Sequence, residues 1–68
     1  MSKTVQAWSR SEDEEVGAAL VWFDQYNVNW AEITLRDGRK IEPKQIEESS
    51  HLVQRIWIEP NGHLAGEV

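Results

Sequence analysis

SEDEEVGAALVWFDQY, residues 11–26, is the stretch on which the reading of this chain turns. Ser11 is followed three residues later by Glu14, the spacing of a capping box, in which the hydroxyl accepts a first-turn backbone N–H and the carboxylate reaches back. Ser9 and Glu12 repeat the spacing two residues earlier. Glu12, Asp13, Glu14 and Glu15 would then fall in a first turn, where carboxylates oppose the partial positive charge of a helix N-terminus. Val16, Ala19, Leu20, Phe23 and Tyr26 recur at steps of three and four, and this period predicts one apolar helix face. Ala18, Val21 and Trp22 widen it. Gly17 counts against a helix by about 1 kcal/mol relative to alanine. Asn27 or Asn29, which tolerate the left-handed region, would end it. The rival reading is a buried strand over residues 16–23, because both alternating faces of that run are apolar.

Working outward, residues 1–10 read as a polar N-terminal arm with a weak strand alternation, Val5, Ala7 and Ser9 against Gln6, Trp8 and Arg10. Residues 11–68 read as a single small domain. Residues 30–35 alternate as a strand, with Ala31, Ile33 and Leu35 on one side and Trp30, Glu32 and Thr34 on the other. Asp37-Gly38 predicts a two-residue hairpin turn that sets Arg36 opposite Arg39 and Thr34 opposite Ile41. Pro43 is expected to end the returning strand, since it cannot donate to a central ladder. Residues 44–50 are polar apart from Ile46, as in a loop or one helical turn. Residues 51–59 read as a strand, and Pro60-Asn61-Gly62 as a three-residue loop built on a type I turn. That loop pairs Glu59 with His63, Ile58 with Leu64, Trp57 with Ala65 and Arg55 with Glu67. The expected fold is therefore α+β, one N-terminal amphipathic helix on a three- to four-stranded antiparallel sheet of two hairpins. The alternative is a small all-β barrel with residues 16–23 as a strand.

Composition narrows the function classes. The chain has 68 residues, no cysteine, two histidines and a net charge of −5. No disulfide or thiolate metal site is possible, and a chain this short has little core to spare. Negative charge opposes binding to a nucleic-acid backbone or an anionic membrane. No apolar run approaches a membrane span, the N-terminus lacks the apolar segment of a signal peptide, and a cytoplasmic location is expected. No cofactor, no metal and no catalytic activity are expected, because nothing resembles a nucleophile–base pair or a cofactor loop. The ordinary reading of His51 and His63 is a pair of surface residues.

Four tryptophans are many for this length, and a domain of this size has little room to hide them all. Trp22 and Trp57 lie in apolar runs and are expected at the core or its edge. Trp8 and Trp30 lie among polar neighbours and are interface candidates, with Trp57 joining Trp30 on the outer side of the sheet. The acidic residues Glu12, Asp13, Glu14 and Glu15, with Glu47 and Glu48, could steer a basic partner; as a helix start they need no function at all. The expected role is a small acidic protein-interaction module acting on a larger protein. A structural homo-oligomer burying the same face is the alternative. A weaker third reading is nucleic-acid binding through Arg36, Arg39, Lys40 and Lys44 at the 36–44 hairpin, whose ordinary role would be a charged tip that protects a sheet edge.

Overall fold

The computed structural model describes residues 2–47 and 52–68, and all regular structure in them is β. Six strands, β1 (Ser2–Ser9), β2 (Glu14–Phe23), β3 (Asn29–Leu35), β4 (Lys40–Gln45), β5 (Arg55–Ile58) and β6 (Leu64–Glu67), form one sheet in the order β4-β3-β2-β1-β5-β6. Neighbours are antiparallel except β1 and β5, which run parallel. Just past β4, Ile46 forms a parallel bridge with Leu64 of β6, and the Glu47 N–H donates to the Leu64 carbonyl at 3.3 Å. The sheet thus curls into a half-barrel whose outer strands meet at this seam.

The helix expected over residues 11–26, and with it the α+β class, is overturned: Glu14–Phe23 is the longest strand and lies between β1 and β3. The small all-β barrel is the reading that fits. A helix buries one stripe, whereas this run is apolar on both alternating faces, as a strand covered on one side and aromatic on the other requires. Of the two capping spacings, only that of Ser9 and Glu12 carries a backbone hydrogen bond among the described residues, and it serves a turn. The Ser9 hydroxyl accepts the Glu12 N–H at 3.3 Å and the Ser9 carbonyl accepts the Asp13 N–H at 2.8 Å. Asp13 then enters the left-handed region at φ 53° and reverses the chain into β2. A hydroxyl that binds a backbone N–H three residues on starts a tight turn as readily as a helix.

The other hairpins share one design. Residues 25–27, 36–38 and 60–62 are three-residue loops whose last residue is left-handed: Asn27 at φ 67°, Gly38 at 93° and Gly62 at 87°. Each is closed by two backbone hydrogen bonds: the N–H of Asp24, Leu35 or Glu59 donates to the carbonyl of Val28, Arg39 or His63, and its own carbonyl accepts the N–H of Asn27, Gly38 or Gly62. The β5–β6 register agrees with the sequence expectation at Arg55↔Glu67, Trp57↔Ala65 and Ile58↔Leu64. The β3–β4 register is one residue off it. Leu35 rather than Arg36 faces Arg39, so Thr34 pairs with Lys40 and Ile33 with Ile41. Nor does Pro43 end β4. Between Ile33↔Ile41 and Ala31↔Lys44, the two residues Glu42 and Pro43 oppose Glu32 alone. This is a bulge in an outer strand, where a residue without an N–H costs no ladder bond.

The core fills the concave side with Ala7, Ala19, Val21, Ala31, Ile33, Ile46, Val53, Ile56 and Leu64. Small and large residues alternate around it. One rung runs Val5, Ala19, Ile33, Ile41, and the next Ala7, Gly17, Leu35. Such alternation lets a narrow barrel close without voids. Gly17 follows a bulge at Val16, where the β1–β2 register shifts. A Cβ there would overlap the Thr34 carbonyl oxygen and lie 2.9 Å from the Leu35 Cα. The glycine that counted against a helix is what lets β2 and β3 approach at the bend.

Candidate functional site: two tryptophan pairs on the outer face

Alternation along the strands places all four indoles on the convex side, opposite the core. Trp8 follows Gln6 and Thr4 on β1, Trp22 follows Leu20 on β2, Trp30 precedes Glu32 on β3, and Trp57 follows Arg55 on β5. Their neighbours of opposite parity, Ala7, Val21, Ala31 and Ile56, are buried in the barrel. The pairing divides the indoles into two sets, with Trp8 opposite Trp57 and Trp22 opposite Trp30. Trp30 and Trp57 therefore share a face, as expected, but belong to separate pairs.

The Trp8–Trp57 pair is a layered cluster. The rings lie 5.7 Å apart, tilted at 54°. The Arg10 guanidinium sits 4.0 Å from the Trp57 ring centre, and that of Arg55 4.3 Å from Trp8 and 5.6 Å from Trp57. Carboxylates hold both cations. Glu59 takes Arg10 in two bonds of 3.1 and 3.2 Å, and Glu67 lies 4.0 Å from Arg55. The bond to Glu59 keeps Arg10 more firmly protonated than usual, against the desolvation that opposes it, with the charges of Glu59, Glu67 and Asp13 adding. The Trp57 indole N–H donates to Glu67 at 2.8 Å, and that of Trp8 to Gln6 at 3.4 Å. As a result Trp57 is only 7% exposed although it lies outside the core.

The Trp22–Trp30 pair has no such cover. Both indoles are half-buried, and neither has a cation over its ring among the described residues. Next to them Leu20 is 41% exposed, and Tyr26, in the loop joining the two strands, is 77% exposed. Asp24 organises this end. It accepts the Trp30 indole N–H at 2.8 Å and the backbone N–H groups of Val28 and Tyr26 at 3.0 and 2.8 Å. Those bonds, the Trp30 one foremost, hold its carboxyl below the usual range against desolvation that pushes it up. Glu32 stands directly opposite Leu20 on the same face. Leu20, Trp22 and Tyr26 are absent from the interface candidates because the helical period claims them; a period-two alternation along β2 places Leu20 and Trp22 together.

The charged candidates are rearranged. Glu12 and Asp13 occupy the β1–β2 turn, and Glu14 and Glu15 open β2. Glu12, Glu14 and Glu15 line an open groove of about 520 Å³ together with Arg36, Asp37 and Arg39 of the β3–β4 loop. Arg36 is bonded to Glu15, and Arg39 to Asp37 at 2.7 Å. Asp37 is held below the usual carboxylate range, chiefly by the Arg39 backbone N–H. Part of the acidic cluster and part of the basic cluster thus neutralise each other. Lys40 is exposed at the start of β4, whereas Lys44 donates to the Gly62 carbonyl at 3.0 Å across the barrel seam. Glu47 lies at that seam too, 3.5 Å from His63. Glu48 and His51 fall outside the described residues. All four arginines of the chain are thereby committed to its own carboxylates.

Among the described residues no three potential ligands converge on a metal position, and no helix is long and apolar enough to cross a membrane. No protein family, curated protein or solved structure matches the chain.

Proposed function

We propose that the protein is a small interaction module that docks onto a larger protein through the Trp22–Trp30 end of its convex face. The observation that carries this is the uncovered pair itself. Two indoles and Leu20 share the convex face outside the core, and the loop that joins their strands carries the exposed Tyr26, the aromatic composition of interface hot spots. Both indoles stand on paired strands, so little ordering entropy remains to be lost on binding. Glu12, Asp13 and Glu14 take part in none of the ion pairs between described residues. Together with the net charge of −5, they favour encounter with a basic partner surface.

The two other readings fit less well. A symmetric contact between copies centred on this pair carries the Asp24 and Glu32 rim of one copy onto that of the other, a like-charge juxtaposition. Phosphate recognition is opposed by the net charge of −5 and by the carboxylates Glu12, Glu14, Glu15 and Asp37 that line the same groove as Arg36 and Arg39.

The test is a photo-crosslinking residue placed at Leu20 or Tyr26 in the cell that makes the protein, with Glu42 on the bulged outer strand as control. A discrete adduct with a second protein from positions 20 and 26, absent from 42, is the expected result. Adducts only with a second copy would favour the homo-oligomer, and adducts equal at all three positions would remove the face from consideration.

A further inference from the structure

We infer that the open tryptophan pair is completed by an arginine side chain of the partner protein, seated over Trp22 and Trp30 and held by Asp24 and Glu32. This rests on the reading of that end of the face as a docking surface and adds the chemistry of what docks. The protein supplies its own template. At the covered pair, two cross-strand indoles, guanidinium groups at 4.0 and 4.3 Å, and carboxylates behind them form a complete unit. At the open pair two of those three components recur. The indoles are again directly opposite one another on adjacent strands, and carboxylates again flank them, Asp24 at one end and Glu32 beside Leu20. Only the guanidinium is missing, and the chain has none left to give, because all four arginines are paired elsewhere. Asp24 stays ionised well into the acid range, since the hydrogen bonds from Trp30, Val28 and Tyr26 favour its charged form. An indole face is attracted to a cation through its quadrupole, and most strongly where water is partly excluded. A planar guanidinium can stack on the ring and still reach a carboxylate at its edge, which a lysine ammonium does less well. Leu20 and Tyr26, beside the pair, suit an apolar residue next to that arginine.

The experiment follows the four indole N–H signals in a proton–nitrogen correlation spectrum of the intact protein. The probes are short capped peptides carrying Arg-Leu-Arg, the same peptide with citrulline for each arginine, and the same with leucine for each. With the arginine peptide, the Trp22 and Trp30 signals should move saturably while those of Trp8 and Trp57 stay. Citrulline keeps the shape and loses the charge, so binding should weaken about tenfold. Glu32→Gln should weaken the arginine peptide several-fold with an unchanged melting temperature. Equal binding of the citrulline or leucine peptide overturns the arginine assignment and leaves the docking face standing. An arginine peptide that moves no indole, or moves all four alike, also overturns it, and the crosslinking result then decides the docking face separately.

Discussion

The two tryptophan pairs occupy the same side of the same sheet, yet they have opposite surroundings. Trp57 is sealed by its neighbours, with arginines layered over it and acids behind them. Trp22 and Trp30 are tied down only by Asp24 and border the exposed Leu20 and Tyr26. Composition does not separate them; strand order does. The covered pair lies across the parallel β1–β5 join, where Arg10 and Arg55 are close at hand. The open pair lies across the β2–β3 hairpin, where the nearest charged residues on the face are acidic. One pair is therefore layered with the chain's own arginines on the outside of the barrel, and the other is left without a cation over either ring among the described residues.

The severest way to break the contrast is at the strand both pairs depend on. Gly17 packs between Ala7 on the strand of Trp8 and Leu35 on the strand of Trp30. Gly17→Ala should cost roughly 3 kcal/mol or more, because its Cβ meets backbone that cannot give way. That is close to the whole stability of a domain this small at about 0.05 kcal/mol per residue. Loss of the β circular dichroism signal and collapse of indole dispersion at both pairs would report it.

The contrast itself predicts unequal costs for equal truncations. Trp57→Ala should cost about 3 kcal/mol, the low end for a buried aromatic and nearly all that a domain this small has, read as loss of most of the cooperative urea transition. Trp22→Ala should cost only about 1 kcal/mol, the size of an ordinary substitution. Equal losses would make the open pair structural and remove the reason to give it a partner. A smaller effect should follow Arg55→Ala. Uncovering Trp8 and Trp57 should raise the quenching of indole fluorescence by acrylamide with little change in fold. The mildest test is pH. The Asp24 carboxyl is depressed in the folded state, so its contribution is present above the unfolded value near 3.9 and is lost as pH falls through the folded one. Acidification should therefore loosen the Trp30 indole signal, at a pH below the usual aspartate range. Trp30→Phe, which removes the largest cause of the depression, should move the Asp24 titration upward.

How much of this was legible depended on the distance over which each signal acts. Pro60-Asn61-Gly62 specified its loop and the whole β5–β6 register, because turn chemistry and cross-strand pairing agree within a dozen residues. Asp37-Gly38 marked the right turn but missed the register by one, since Gly38 closes a three-residue loop instead of a two-residue one. The 11–26 stretch misled because local cues for a helix start and stop also serve turns. Ser9 and Asp13 begin a hairpin loop, and Asn27 ends another. What would have decided the matter, an apolar run on both faces, is a statement about neighbours on both sides. The site was half visible. Trp30 was correctly turned outward, but its partner Trp22 was assigned to a helix, and no local signal told that Arg10 would reach Trp57 from 47 positions away in the chain.

β1 pairs with β2 on one side and with β5 on the other, and its second partner is encoded about fifty residues downstream. It is the earliest of the six strands to leave the ribosome, and one of its borders stays bare until Arg55–Ile58 has been made. Pairings that span so much sequence are slow to form. A nascent chain stalled before Arg55 would expose the hydrogen-bonding border of β1 beside an unshielded Trp8, a species suited to capture by a chaperone or by another unfinished copy.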